Sequence, residues 1–125
     1  MLGAAAGGAI GFAETRIDGW AMLDPEQRMI LKHIVVWSIL GVGVGLGASL
    51  ASKCRRTMAR GTLAAFAGGL IGGALYIPVL ALAIPDVDAT KLVPGPLSAL
   101  MIWIALPALC MALGLGRALS HAPAA

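Results

Sequence analysis

Charge is what this chain lacks most. Of its 125 residues only 12% are Asp, Glu, Lys or Arg, about half the share of an ordinary soluble domain. A water-soluble fold of this size exposes much of what it carries and needs polar residues to cover its surface. Most of this chain has none to offer, which excludes a small soluble globule. Histidine is confined to His33 and His121, and cysteine to Cys54 and Cys110. None of these has a second ligand at metal-binding spacing, so no metal site and no cofactor are expected, and the two histidines read as isolated interfacial or tail residues. So few candidates cannot assemble a Ser-His-Asp or Cys-His arrangement. No catalytic residue is assigned, and the chain reads as non-enzymatic. Cys54 borders a basic stretch while Cys110 lies inside an apolar run, so a disulfide between them is not expected.

What the chain does have is long apolar runs, with 59% hydrophobic residues overall. The segments from about 29 to 52, 61 to 84 and 97 to 120 each reach the roughly 20 residues a helix needs to cross a bilayer. The segment 1–13 is Gly- and Ala-rich and too short. Asp24-Pro25-Glu26-Gln27 is a helix start: Asp24 as cap, Pro25 in the first turn, Gln27 reaching back. Pro94-Gly95-Pro96 punctuates the approach to the last segment, and Pro78 and Pro107 should kink the spans that contain them.

Basic residues are clustered rather than spread over a face. Lys53, Arg55, Arg56 and Arg60 share the stretch 52–60 with no acid. That is a topology signal and not a nucleic-acid footprint, and it places the 52–60 loop in the cytoplasm. Glu14, Asp18, Asp24, Glu26, Asp86 and Asp88 then fall on the opposite side, and Arg117 returns the C-terminus to the cytoplasm. The expected location is the cell (inner) membrane, multi-pass.

The chain also repeats itself. Residues 2–13 align without gaps on residues 63–74, with eight of twelve positions identical. Trp37 and Trp103 fall at similar depths, and Gly45-Leu46-Gly47 echoes Gly114-Leu115-Gly116. The expected architecture is all-α: one polytopic domain over 1–125, three to four transmembrane helices in two tandem hairpins. Segment one reads as a short first helix held against the third. A re-entrant turn or a signal peptide ending near Ala13 are the other readings, and the missing basic n-region speaks against the latter.

Fifteen of the seventeen glycines lie in the apolar segments, which makes glycine the main candidate feature. Gly3, Gly7 and Gly11, with Gly8 beside them, form one helical stripe; Gly61, Ala65, Gly69 and Gly73, flanked by Gly68 and Gly72, form another. Small residues four apart let helix backbones approach and gain dispersion contacts that lipid cannot outcompete. Gly41, Gly43, Gly45 and Gly47 alternate instead, flattening both faces of the second segment as for a helix between two neighbours. Gly43–Ala48 fits a loose dinucleotide-binding pattern but has no preceding strand or following acid. Glu14 adjoins the first stripe and is the candidate ion or proton site. The competing reading is that Glu14, Arg16 and Asp18 together end the helix in water.

The stretch from Trp37 to Tyr76 resembles glycine-rich, multi-helix membrane modules of uncharacterised bacterial proteins. The residues carrying this are Trp37, Gly41, Gly43 and Gly45, then Arg55, Arg56 and Arg60, then Gly61, Leu63, Gly68, Gly69, Gly72 and Gly73. About a third of the chain is covered, and the resemblance implies a membrane fold without a chemistry. Gly7-Gly8-Ala9-Ile10 before Ala13-Glu14 is similar to the first helix of small multidrug transporters, but here Arg16 and Asp18 follow where those stay apolar. Gly61-Thr62-Leu63 is similar to a fluoride-channel helix start, but Phe66 replaces its asparagine. The expected role is a packing, anchoring or accessory subunit whose partners are lipid and other membrane proteins or its own copies. The alternative is a small oligomeric channel or transporter.

Overall fold

A computed structural model describes residues 2–50, 55–86 and 91–120; packing is described for all of these except residues 2–4, 6 and 49. Four helices follow in order: α1 (Leu2–Asp18), α2 (Pro25–Ser49), α3 (Arg55–Ala83) and α4 (Leu97–Ser120). The last three are long and apolar enough to cross a membrane, with mean hydropathies of 1.9, 1.9 and 2.1. That suggests a membrane protein. The 17 residues of α1 rise only about 25 Å, short of a ~30 Å hydrocarbon core.

Helix ends follow local chemistry. Asp24 has an extended backbone and Pro25 opens α2. The Asp24 backbone N–H donates to Gln27 Oε1 at 3.3 Å, and the Arg28 N–H donates to the Asp24 carbonyl at 3.0 Å. Both satisfy groups that a helix start leaves open. The basic stretch is not wholly a loop: Arg55, Arg56 and Arg60 already belong to the first turns of α3, while Lys53 and Cys54 lie outside the described residues. Asp88 and His121 also lie outside them. The helices run on through Pro78 and Pro107.

The second segment, α2, has two neighbours, α1 and α3, but the helix with small residues pressed against neighbours on two faces is α3. Its neighbours are α2 and α4, whereas α1 touches α2 alone among the described helices. The expectation that α1 packs against α3 is therefore corrected. The reason lies in the two small-residue stripes of α3, which are about a quarter turn apart on the helix. Gly61, Ala65, Gly69 and Gly73 face α2, where they meet Gly45, Gly41, Trp37 and His33 in antiparallel order. Gly68 and Gly72 face α4 at Cys110–Met111 and Pro107, and Gly114 of α4 meets Ala64. With α3 flattened on both sides, α2 and α4 come close enough for Trp37 and Trp103 to touch edge-on, ring centroids 4.9 Å apart.

These approaches leave no room for a side chain. A methyl group at Gly73 would lie 2.7 Å from the His33 carbonyl oxygen, and one at Gly68 would lie 2.6 Å from that of Cys110. At Gly69 it would collide with the Trp37 carbonyl, and at Gly41 with that of Ala65. The apolar core gathers at the Tyr76 end of α3, where Tyr76, Ile77, Leu80 and Ala99 are buried together.

Candidate functional site

The same glycine criterion separates the remaining candidates. Gly7, Gly8 and Gly11 of α1 and Gly43 and Gly47 of α2 have no described atom within 4 Å of where a side chain would begin. Among the described residues they pack against nothing, whereas the sequence leads us to expect each in a helix contact. The physical reason is that α2 offers one flattened face, Gly41 and Gly45, and α3 occupies it. The packing of Gly3 lies outside the described residues.

The charges that follow the α1 stripe do more than end the helix. The helix continues through them to Asp18, with Ile17 buried at 4% exposure. Asp18 pairs with Lys32 of α2 at 2.6 Å, and Arg16 lies over the Phe12 ring. Glu14 is half-buried and makes no ion pair or hydrogen bond with the described residues.

Near this pair a cleft of about 650 Å³ opens where α1 ends and α2 begins. Asp18, Asp24, Glu26, Arg28 and Lys32 line it, with Met29 and Ile77 as its apolar wall. Arg28 is held there by a 2.9 Å bond from its Nε to the Leu23 carbonyl. Both signs of charge face the cleft, so it has no strong bias toward anion or cation.

Behind the apolar wall sits the one residue that sequence reasoning misplaced most. His33 reads in the sequence as an isolated interfacial histidine, yet it is fully buried. Its Nδ1 lies 2.8 Å from the Met29 carbonyl and its Nε2 lies 3.1 Å from the Leu92 carbonyl. The Tyr76 ring packs over it with centroids 4.6 Å apart, tilted by 31°. A signal was present in the sequence: His33, Trp37, Gly41 and Gly45 recur every four residues, which is the stripe that α3 covers. One helical turn along it, the Trp37 and Trp103 indole N–H groups and the Ser38 hydroxyl are buried without a hydrogen-bond partner among the described residues.

No catalytic dyad is formed by this arrangement among the described residues. Its chemistry is that of hydrogen bonding and protons: an imidazole, a phenol and buried donors at a three-helix junction. Cys110, a free thiol of α4, packs apart from it against Gly68. No group of three His, Cys, Asp or Glu side chains capable of holding a metal occurs among the described residues. In comparison with known proteins, no family model, no curated protein and no solved structure matches this chain.

Proposed function

We propose that the chain is a multi-pass protein of the cell (inner) membrane and acts as a non-enzymatic packing, anchoring or accessory subunit of a membrane assembly. One observation carries this reading. The small-residue face of α1 at Gly7, Gly8 and Gly11 meets no partner among the described residues, while Gly68 and Gly72 of α3, aligned with Gly7 and Gly11, are pressed against α4. Gly7 and Gly11 align with Gly68 and Gly72, and stripes of that kind bring helix backbones into contact. The orientation proposed has the 52–60 stretch and the C-terminus in the cytoplasm. The antiparallel packing supports it, because Arg55, Arg56, Arg60 and Arg117 lie at one end with no acid among the described residues there, whereas Arg16, Arg28, Lys32 and Lys91 at the other end are mixed with Asp18, Asp24, Glu26 and Asp86.

The test is purification of the tagged protein from its native membrane in mild detergent, with the intact particle weighed. Unlike partners in fixed ratio are expected, and Gly7→Leu with Gly11→Leu should release them while α2–α4 stay folded. A uniform homo-oligomer without other proteins would sink the accessory reading and favour a small channel or transporter. The buried His33–Tyr76 pair beneath a charged cleft supports that second reading. Flux unaffected by Glu14→Gln would then remove Glu14 from it.

A further inference from the structure

His33 faces two acceptors with a ring that, when neutral, has one donor. Each ring nitrogen lies within hydrogen-bond distance of a backbone carbonyl oxygen, Met29 at 2.8 Å and Leu92 at 3.1 Å. A neutral imidazole carries a single N–H, so one nitrogen lone pair must point at a carbonyl lone pair. The imidazolium carries two and satisfies both. The Tyr76 ring lies at a centroid distance of 4.6 Å, within reach for a favourable interaction between a cation and a π face.

We propose that His33 is a proton-binding site, and that the proton it takes up clamps the connection between α3 and α4 onto α2. The two acceptors differ in what they report. The Met29 carbonyl is one turn back on the same helix, so bonding to it holds the ring's orientation. The Leu92 carbonyl belongs to the distant connection, 59 residues along the chain. Only the second bond joins two parts of the fold. With one proton on the ring the two carbonyls compete; with two, the connection is fastened.

The nearest charged surface is the cleft where α1 ends and α2 begins, and an apolar wall separates His33 from it. Met29 and Ile77 line the charged cleft and also belong to the packing around Tyr76. The ionisable groups around His33 are few. On α3 there is the Tyr76 phenol; on α2, Lys32 adjoins it in sequence and is paired with Asp18 of α1; on the connection, Lys91 precedes Leu92. Cys110 and Arg117 of α4 lie at the far end beside Ala64 and Gly68. This proposal is independent of which assembly the chain joins.

The experiment is nuclear magnetic resonance of the full chain in lipid nanodiscs, with ¹⁵N-labelled histidine and ¹³C-labelled leucine carbonyls, titrated between about pH 5 and 8. The His121→Ala variant assigns the other histidine. At the acid end His33 should show two protonated ring nitrogens, and at the alkaline end one. The Leu92 carbonyl resonance should move with the same midpoint. A ring that keeps one N–H throughout overturns the proposal, and so does a Leu92 carbonyl that stays still while the ring titrates. These readouts come from the unmutated ring, so the proposal remains falsifiable if His33→Gln misfolds. If that variant folds, its Leu92 carbonyl should lose the pH-dependent shift, and an unchanged shift would also overturn it.

Discussion

Tyr76 and His33 are two halves of one packing event. Tyr76 is 1% exposed and His33 is fully buried, and each covers a face of the other's ring. Tyr76→Ala removes a whole buried ring at a junction of three helices, and should cost about 3–5 kcal/mol by analogy with other large aromatic truncations. His33→Leu keeps most of the volume but leaves the Leu92 carbonyl without a donor, and should cost about 1–3 kcal/mol. Ser38 runs in the opposite direction. Its hydroxyl is buried without a partner among the described residues, so Ser38→Ala is expected to be neutral or to stabilise by about 1 kcal/mol. Reversible unfolding in SDS, followed by the fluorescence of the touching Trp37 and Trp103, orders all three. A Ser38→Ala loss as large as that of His33→Leu would mean the hydroxyl is bonded after all.

At the scale of the helix, identical residue types have opposite consequences. Gly69→Ala drives a methyl group into the Trp37 carbonyl, and overpacking of this kind should cost about 1–3 kcal/mol. Gly7→Ala meets nothing within 4 Å; replacing a mid-helix glycine should instead stabilise α1 by about 0.5–1 kcal/mol. Ile17 and the Asp18–Lys32 pair hold α1 to α2, but unequally. Asp18 is 58% exposed along its side chain, so Asp18→Asn should change stability by less than about 1 kcal/mol. Ile17→Ala should cost more, about 2 kcal/mol or above. Limited proteolysis in the 19–24 connection reads both: it should accelerate strongly for Ile17→Ala and little for Asp18→Asn. Helix starts and charge clusters were legible at this scale because a cap or an Arg-rich turn acts on atoms a few residues away. The Asp24-Pro25-Glu26-Gln27 start is such a case.

Across the whole molecule, α3 is the hub and α1 the outlier. Since α1 touches α2 alone among the described helices, removal of residues 1–23 should leave the α2–α3–α4 core folded, with its Trp37–Trp103 contact intact. Near-ultraviolet circular dichroism of the shortened chain checks this. Loss of the aromatic signal would show that α1 is part of the core. The apolarity and order of the three long helices, and the acid-free basic cluster between α2 and α3, were determined by the sequence itself, whereas α1 and α3 extend past their apolar runs, to Asp18 and from Arg55. Hydropathy and charge are sums over neighbouring residues and need no knowledge of the partner. Only the tertiary structure decided which stripe meets which. Gly7–Gly11 and Gly68–Gly72 are alike in sequence, yet one pair is open and the other pressed against α4. A small-residue face fits many helices almost equally well, so its choice depends on the competing surfaces and not on its own composition. Tertiary packing also buried His33: a lone polar residue among apolar ones goes inward where another segment brings a carbonyl to receive it, and Leu92 does so from the connection between α3 and α4.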